Sequence, residues 1–469
     1  MTIHILQAPS LWTQQLSPAL IKLCQNIANA GGKAWLVGGC VRDLCLGIKP
    51  KDMDLEVYGL SADNLQKITH PMGHSEQVGK HFGVLKLWVK GEAFDLALPR
   101  TEKKTHAGHA GFDISHDIHL SPRIASLRRD FTINAMMFDP LTSERLDFHG
   151  GQKDLQCGRL RHVSPAFAED PLRVLRAMQF AARFRLKLTP ETAQLCHDLL
   201  PEASTLACSR IWGEWQKWAH ATYPSFGLQA LHDSGWLGLY PSLTPLLNCP
   251  QDSRWHPEGN AWKHTLQVCD QASLIAKREN LDEKTTEYLV FSALCHDLGK
   301  PETTFTDEAG YIHSPKHSQA GIEPSRVFLQ NIAAPKWVER YVTPLVYDHI
   351  THLSGQPSSR AIRRLAHRLE PASIELWERL VEADASGRAP SPPSRPALPW
   401  LEKARDLASH RQKIKPIITG KFLIIRGISS GKQMGAIIQQ AYEAQLDGSF
   451  NDEDSADHWL LQTSHNHDV

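Results

Sequence analysis

Two aspartates separated by a single residue, Asp52 and Asp54, carry the clearest chemistry in the first part of the sequence. Side chains alternate between the faces of a strand, so both carboxylates would project from the same face. Paired carboxylates can hold hard divalent cations, which activate an attacking hydroxyl and stabilise a leaving pyrophosphate in phosphoryl transfer. Upstream, Gly38 and Gly39 lack side chains and let backbone amides approach a triphosphate.

Either motif alone is more often an ordinary strand-to-helix turn or a solvated strand edge. Together, and with Arg42 three residues after Gly39, they favour a phosphoryl-transfer site. Asp95 lies in a further predicted strand, where it could supply a third carboxylate facing the pair. A polar residue at a sheet edge is an equally good interpretation of Asp95.

Arg128 and Arg129 begin a second run, in which they could neutralise phosphate oxygens. Asp130 and Asn134 are four residues apart on a predicted helix, so they would share a face and offer an acceptor and a donor to a ribose. By chemistry alone, a solvated helix face explains this run equally well.

A third run begins a predicted helix whose start is clearly indicated, because Asp170 suits the N-cap and Pro171 suits the first turn. Arg173 and Arg176 follow on one face. An aspartate and an arginine held rigidly near a helix start could present fixed acceptors and donors to a base edge. The alternative is a capping acid with a salt-bridged arginine.

These runs in this order resemble the class II tRNA nucleotidyltransferases, the CCA-adding enzymes, and the bacterial poly(A) polymerases. The matching motifs are Gly38-Gly39, Asp52-x-Asp54, Arg128-Arg129-Asp130-Phe131-Thr132-Ile133-Asn134-Ala135 and Glu169-Asp170-x-x-Arg173. The resemblance implies Mg²⁺ at Asp52 and Asp54, with Asp95 as a further catalytic candidate. It also implies a nucleotide-binding set for triphosphate, ribose and base: Gly38, Gly39, Arg42, Arg128, Arg129, Asp130, Asn134, Asp170, Arg173 and Arg176.

Histidines and acids gather in the second half of the sequence, from Trp255 onward. A lone histidine is usually a core residue, and 25 histidines guarantee some coincidences. The adjacent pair His296-Asp297 makes a metal site more plausible, because imidazole and carboxylate together suit borderline transition metals that activate water.

This pattern resembles the HD phosphohydrolase superfamily. The resemblance implies a minimal ligand set and two extra positions found in dinuclear members: His264, His296, Asp297 and Asp384, then His317 and His349. We expect an active hydrolase with a divalent transition metal, and a degenerate scaffold is the alternative.

Length and composition place these motifs in a multidomain protein. A chain of 469 residues is too long for one core. No apolar run approaches the ~20 residues of a membrane span, and residues 1–17 do not resemble a secretory signal, so we expect no membrane segment and a cytoplasmic location. Nine cysteines without a Cys-x-x-Cys pair argue against disulfides and thiolate zinc. Zero formal charge means that any nucleic acid must meet local basic patches.

The spacing of apolar residues predicts the helices and strands that position these motifs. We predict a helix within 10–31, strands at 34–37, 54–58, 84–89 and 93–98, a mobile loop at 103–111, and helices thereafter. The predicted fold is α+β: a nucleotidyltransferase head with a small mixed sheet, followed by an all-α body that includes an HD domain. The expected domains are 1–150 (head), 151–250 (helical neck for base and RNA recognition), 251–390 (HD) and 391–469 (linker and helical tail). The proline-rich stretch 386–400 is either a stiff linker or an irregular wrap.

The predicted activity is template-independent addition of C, C and A to tRNA 3′ ends from CTP and ATP, with a second hydrolase. An A-adding or poly(A) polymerase is the nearest alternative, because base choice depends on fine placement of Asp170 and Arg173. The run 54–60 departs from the family's commoner ending and slightly favours that alternative. The head could instead be an RNA-binding module for an HD phosphodiesterase, or the whole chain a non-catalytic RNA-binding protein.

A basic cluster in the second half has two explanations that the sequence leaves open. The cluster consists of Arg360, Arg363, Arg364 and Arg368. It could follow tRNA phosphates, or it could be an exposed, salt-bridged helix face. No sequence feature specifies an oligomeric state.

Overall fold

The computed structural model describes residues 12–78, 84–104 and 112–465. The chain divides into two compact units. The first unit runs to Trp218 and includes Phe226–Gly238, and the second comprises Ala219–Ser225 and the chain from Leu239 onward. The first contains a mixed sheet with helices and the second is almost entirely helical, which confirms the predicted α+β class.

A seven-stranded mixed sheet forms the framework of the first unit, and it contains all four predicted strands. Its strands are β1 (Lys33–Val37), β2 (Met53–Tyr58), β3 (His74–Val78), β4 (Val84–Val89), β5 (Glu92–Ala97), β8 (Met137–Phe138) and β9 (Arg145–Leu146), in the spatial order β3-β4-β5-β2-β1-β8-β9. Strands β2 and β5 are parallel, and the other neighbours are antiparallel. In β4 every second residue is buried, as expected of a strand with one face on the core.

Two short strand pairs lie outside this sheet. They are β6 (Arg100–Lys104) with β7 (Phe112–His116), antiparallel, and β10 (Arg159–Leu160) with β11 (Lys187–Leu188), parallel. Residues 103 and 104 therefore belong to a strand and not to the predicted loop. The rest of that loop, 105–111, lies outside the described residues.

Nine α-helices lie in the described residues between 18 and 233. They are α1 (Pro18–Asn29), α2 (Gly39–Cys45), α3 (Ala62–Thr69), α4 (Pro122–Ser126), α5 (Gly151–Gln156), α6 (Leu172–Phe184), α7 (Pro190–Asp198), α8 (Cys208–Ala219) and α9 (Pro224–Asp233). Ser17 caps α1 by accepting the Leu20 amide proton, and Leu20, Leu23 and Ile27 are buried. This is the amphipathic helix that the apolar spacing predicts.

The helix predicted through Asp130 and Asn134 is wrong. Phe131 is extended (φ −125°, ψ 149°), and only Thr132–Asn134 form a single 3₁₀ turn. The reason is local competition: the Asp130 carboxylate accepts the Phe131 amide proton at 2.7 Å, which favours a capped turn over a continuous helix.

The helices of the second unit pack around a buried central helix. They are α10 (Ala261–Arg278), α11 (Glu283–Cys295), α12 (Lys300–Thr303), α13 (His317–Ala320), α14 (Ile322–Asn331), α15 (Lys336–Asp348), α16 (Ser359–Arg368), α17 (Ile374–Ser386), α18 (Leu398–Asp406), α19 (Gly420–Ile425), α20 (Lys432–Asp447) and α21 (Glu453–His465). A two-stranded hairpin, β12 (Phe305–Thr306) and β13 (Ile312–His313), interrupts them. Helix α11 is buried on all sides from Glu287 to Cys295 and contacts α10, α15 and α17.

The proline-rich stretch is a wrap over α17 and not a free linker. The Ser394 amide donates to the Ser386 hydroxyl at 3.1 Å, and Arg395 forms ion pairs with Glu378 at 2.7 Å and Glu382 at 3.1 Å. These contacts hold the middle of the stretch against the helix. All nine cysteines lie in the described residues as free thiols. No helix within 12–78, 84–104 and 112–465 has the length and apolar character needed to span a bilayer.

The basic cluster on α16 is a salt-bridged helix face. Arg360 and Arg364 both contact Asp447 in α20, at 2.9 and 2.5 Å. Arg368 contacts Asp348 at 2.7 Å, and Arg363 donates to the backbone oxygen of Leu446 at 2.8 Å. These guanidinium groups therefore hold the C-terminal helices in place, and the second of the two explanations given above accounts for them.

Candidate functional site

One cavity in the first unit, of about 600 Å³, gathers the predicted nucleotide-binding residues. Its lining contains every predicted residue of this site except Asp95: Gly38, Gly39, Arg42, Asp52, Asp54, Arg128, Arg129, Asp130, Asn134, Asp170, Arg173 and Arg176. These residues come from β2, from α2 and the loop before it, from the turn at 128–134 and from α6. Segments far apart in sequence thus meet in one cavity beside the central strand β2.

Asp52 and Asp54 line this cavity, and Asp95 lies next to Asp54 in the sheet. Asp54 lies in β2 directly opposite Asp95 in the parallel strand β5, so the two side chains project from the same face. Asp52 immediately precedes β2. Burial raises the pKa of Asp54, Arg129 opposes this shift, and the negative charges of Asp95 and Asp52 add to it. A group of oxygen donors whose charges repel one another suits a divalent cation, which would relieve that repulsion.

The turn at Gly38, just before α2, brings the main chain close to the side chains of Arg129 and Asp54. Gly38 has φ +76°, and a Cβ atom there would lie 3.2 Å from Nη1 of Arg129 and 3.7 Å from Oδ2 of Asp54. A larger residue would therefore be strained and would also push into the site.

A buried hydrogen-bond chain forms the next part of the cavity wall. Arg42 donates to Oδ1 of Asn134 at 2.6 Å and to Asp43 at 2.7 Å. Asn134 donates to Oδ1 of Asp130 at 3.0 Å, and Arg176 contacts Oδ2 of Asp130 at 2.6 Å. Although burial disfavours its charge, Arg176 and the hydrogen bonds hold the pKa of Asp130 below its ordinary value. The chain fixes the donors and acceptors predicted to face a ribose.

Asp170 and Arg173 are each held by other groups. Asp170 accepts the Leu172 amide proton at 3.1 Å just before α6 begins, and its Oδ2 lies 2.7 Å from Nη2 of Arg210 in α8. Arg173 donates to the backbone oxygens of Ala166 at 2.6 Å and Arg128 at 2.9 Å. The positions of both side chains are thereby fixed before any ligand binds.

Removing Arg210 should disturb the placement of Asp170 and hence the choice of base. We expect Arg210→Ala to relax nucleotide selection at least about tenfold, because Asp170 loses its bidentate partner and can rotate. The ratio of CTP to UTP incorporation into a tRNA ending before its final CCA measures this change. Arg185→Ala, outside the cavity in the same unit, is the control. An unchanged ratio would show that Arg210 does not set the position of Asp170.

Glu56 is a residue of this region whose role the sequence did not reveal. Its fully buried carboxylate accepts from Arg128 at 2.9 Å and from the Tyr58 hydroxyl at 3.0 Å, and Arg129 lies 4.0 Å away. It joins the arginine pair to the sheet. No local signal marked it, because Glu56 shares the strand face of Asp54 and its partner Arg128 lies 72 residues away.

Glu56→Gln should destabilise the first unit. We expect a loss of about 3 kcal/mol in the free energy of unfolding, because Arg128 keeps its charge while its buried partner loses it. Chemical denaturation followed by circular dichroism measures the change. Glu76→Gln, at an exposed position of β3, should shift the stability by less than about 0.5 kcal/mol. Equal stability of the two variants would contradict a structural role for Glu56.

A second cavity, of about 570 Å³, lies in the second unit. Four residues of the predicted HD set line it: Asp297, His317, His349 and Asp384. His264 and His296 are buried beside them, with Nε2 of His264 3.1 Å from Oδ1 of Asp384 and Nε2 of His296 3.2 Å from Oδ2 of Asp297. The fold thus brings all six residues together.

The histidines are oriented for a cation. The Nδ1 atoms of His296, His317 and His349 lie 2.7, 2.8 and 2.7 Å from backbone oxygens. Since a carbonyl only accepts, Nδ1 carries the proton and the lone pair of Nε2 faces the cluster. Nε2 of His317 and Nε2 of His349 are 3.1 Å apart, and Nε2 of His296 is buried without a hydrogen-bond partner. These donors fit a divalent metal ion.

The charges of the cluster favour ionised carboxylates but act differently on its histidines: although burial opposes the shift, Asp384 and Glu258 raise the pKa of His264. Although burial opposes ionisation, His296, Lys300 and His317 hold the pKa of Asp297 well below its ordinary value. Burial, together with the charges of His317 and His296, lowers the pKa of His349 to about 3. Ionised carboxylates and neutral imidazoles are the states that bind metals.

Three neighbours of this cluster were not among the predicted site residues. Lys300 lies 2.7 Å from Oδ2 of Asp297, and Arg388 lies 3.2 Å from Oδ1 of Asp384. Glu258 is fully buried, 2.8 Å from Nδ1 of His264. Glu258 falls in the histidine-rich run where the metal motifs begin, and Lys300 and Arg388 lie three and four residues after predicted ligands, so helical spacing was the available signal.

The fold and the two sites define a nucleotidyltransferase head joined to an HD domain. The poly A polymerase head domain family matches residues 34–161, and the HD domain family matches residues 261–382. A multifunctional CCA protein of Pasteurella multocida is 37% identical over 370 residues, which are 76% of this chain and 84% of that protein. One of Neisseria meningitidis serogroup C is 34% identical over 430 residues, 88% of this chain and 99% of that protein. The chain belongs to the family of multifunctional CCA proteins.

Solved structures show the same fold. The CCA-adding enzyme of Bacillus stearothermophilus in complex with CTP has a TM-score of 0.66 at 19% identity, covering 97% of this chain and 99% of that one. The Thermotoga maritima CCA-adding enzyme complexed with tRNA has a TM-score of 0.60 at 18% identity, covering 97% and 98%. The family resemblance inferred from the sequence motifs is confirmed.

Proposed function

We propose that this protein adds C, C and A to the 3′ ends of tRNA from CTP and ATP, and that its HD domain is a metal-dependent phosphohydrolase. The observation that carries the first part is one cavity that gathers two carboxylates, several arginines, the hydrogen-bonded residues Asp130 and Asn134, and Asp170 with Arg173. The relatives named multifunctional CCA proteins, and the CCA-adding enzymes solved with CTP, ATP and tRNA, support it.

In the proposed addition, the 3′ hydroxyl oxygen of the tRNA forms a bond to the α-phosphorus of the nucleotide. The bond between that phosphorus and the bridging oxygen of the β-phosphate breaks, pyrophosphate leaves, and the hydroxyl proton passes to solvent. Asp52 and Asp54, with Asp95 as a third candidate, would hold Mg²⁺. When bound, Mg²⁺ supplies positive charge to the attacking and leaving oxygens.

The remaining residues of the cavity would orient the nucleotide. Arg42, Arg128 and Arg129 offer fixed positive charge to the triphosphate, and Gly38 and Gly39 let it approach the backbone. Asp130, Asn134 and Arg176 form the rigid ribose-facing chain. Asp170 and Arg173 present a carboxylate and a guanidinium whose positions are set by Arg210 and by backbone oxygens, so they can select a base edge without a nucleic-acid template.

The proposed hydrolase would hold a divalent transition metal with His264, His296, Asp297, His317, His349 and Asp384. When bound, the metal would supply the positive charge that lowers the pKa of a water molecule. The water oxygen bonds to phosphorus, the P–O ester bond breaks, and the departing oxygen takes up a proton. Lys300 and Arg388 place two positive charges beside Asp297 and Asp384, where phosphate oxygens can be neutralised.

The proposed domains are those inferred from the sequence: the head at 1–150, the neck at 151–250, the HD domain at 251–390, and the linker and tail at 391–469. The proposed location is the cytoplasm, where tRNA and nucleoside triphosphates occur.

Nucleotide-resolved extension of tRNA tests the main proposal. Purified protein is incubated with Mg²⁺, a tRNA lacking its 3′ CCA, and CTP, ATP or both. We expect two additions with CTP alone, and C-C-A followed by a stop with both. A long A tail would identify a poly(A) polymerase instead, and no extension in any mixture would reject the polymerase assignment.

A further inference from the structure

We propose that Gln179 selects ribonucleotides, by forming a hydrogen bond to a ribose hydroxyl of the incoming nucleotide in the cavity of the first unit. The residue would then help to reject deoxynucleotides. This inference rests on the proposed nucleotide addition and deepens it by naming a further residue that recognises the sugar.

Gln179 is a buried polar residue whose amide is free to bind a ligand. It belongs to α6, is only 3% exposed and lines the cavity, so the part of it that stays accessible faces the cavity. Among the residues that the structure describes, none forms a hydrogen bond with its side-chain amide. A buried amide without a partner is unfavourable, and a ligand that supplies the partner removes that cost.

The carboxylate of Asp130, in the same cavity, has its acceptor positions already filled. Its Oδ1 accepts from the Phe131 amide at 2.7 Å and from Asn134 at 3.0 Å. Its Oδ2 accepts twice from Arg176, at 2.9 and 2.6 Å. A carboxylate offers about four lone-pair positions, so none is left for a sugar hydroxyl. Gln179, three residues after Arg176 and on the same face of α6, keeps both its donors and its acceptor oxygen for a ligand.

The order of groups along α6 matches the order of the parts of a nucleotide. Arg173, which is proposed to read the base, lies in the first turn of the helix. Arg42, which is proposed to hold the triphosphate, has its guanidinium 4.4 Å from the centre of the Phe184 ring, at the other end of the helix. Gln179 lies between these ends, about 9 Å along the axis from Arg173. Because the sugar joins the base to the triphosphate, it would lie beside Gln179.

A neutral amide suits a hydroxyl better than it suits a phosphate. A hydroxyl both donates and accepts a hydrogen bond, as an amide does, whereas phosphate oxygens bind more strongly to guanidinium groups. Arg183, four residues further along the same face, also lines the cavity and offers such a group. On this face of α6 the amide is therefore the group that matches a sugar hydroxyl.

The experiment compares CTP with its 2′-deoxy and 3′-deoxy analogues. Addition of the first nucleotide to a tRNA lacking its CCA end gives kcat/KM for each of the three. We expect Gln179→Met, which keeps the length of the side chain but removes the amide, to lower the preference for CTP over at least one analogue by about tenfold, because only CTP loses a hydrogen bond. All three are measured with one preparation, so the ratio does not depend on how much of the variant is folded. Gln194→Met, at an exposed position of α7, is the matched control.

An unchanged preference over both analogues would overturn the role of Gln179. A tRNA whose last residue is 2′-deoxy gives a second comparison: if Gln179→Met changes only the preference for the unmodified tRNA end, the amide contacts the tRNA, and the assignment to the incoming nucleotide is wrong. If the wild-type protein adds no nucleotide at all, the addition proposal fails, and calorimetric titration with CTP and the two analogues then tests Gln179 alone. Binding of CTP that Gln179→Met weakens more than binding of one analogue would keep the role, whereas absent binding or equal changes for all three would overturn it.

Discussion

We expect Asp54→Asn to lower the rate of nucleotide addition by about 1,000-fold or more and to leave hydrolysis at the second site unchanged. Asparagine has nearly the shape of aspartate, so the packing of β2 is preserved. However, the substitution removes the negative charge that lies next to Asp95, is repelled by it, and would hold a cation. Cation-based stabilisation of the transition state is worth several kcal/mol, and each 1.36 kcal/mol is a factor of ten in rate.

Single-turnover extension of a tRNA lacking its CCA end measures this effect, with thermal unfolding as a test of folding. Asp63→Asn is the matched control, because Asp63 is an exposed carboxylate in the first turn of α3. We also expect Asp54→Asn to be no less stable than the wild-type protein, since it removes a charge that its neighbours repel. Retained activity in this variant would rule out Asp54 as a cation ligand.

In the head, the sequence predicted the strands and the order of the motifs but not the local geometry of the run 128–134, which was predicted to face a ribose. A period of two located β2, because strand periodicity is a local property, and Asp52, which directly precedes β2, lines the same cavity as Asp54. The 128–134 run depends on competition between a side chain and the backbone, and there the helix prediction was wrong. Glu56 was overlooked because its partner Arg128 lies 72 residues away, a distance that no local pattern spans.

In the second unit, sequence spacing identified the six metal-binding candidates, yet it could not show which nitrogen of each histidine faces the cluster. That orientation comes from backbone oxygens three residues upstream, at Ala293, Ser314 and Val346. The basic cluster on α16 likewise allowed two explanations until Asp447 and Asp348 were placed beside it. Contacts of this kind join residues from separate helices, so they depend on the packed fold.

We expect His296→Ala to lower phosphate release at the second site by at least about 100-fold while CCA addition continues at the wild-type rate. Nε2 of His296 is buried without a hydrogen-bond partner in a cluster of metal-binding candidates, so its removal takes away a donor that nothing nearby replaces. Loss of even an outer-shell partner of a metal ligand commonly costs 10- to 100-fold in metal affinity or activity, and loss of a ligand itself should cost more.

The metal bound per chain, measured by mass spectrometry after dialysis, gives a readout independent of activity. It should fall in His296→Ala and not in His458→Ala, where an exposed histidine of α21 is removed. Together with Asp54→Asn, this pair separates the two chemistries. If the head were only an RNA-binding module, Asp54→Asn would leave all catalysis intact and His296→Ala would abolish it. Independent loss of each activity by its own variant is the pattern that two separate active sites in one chain require.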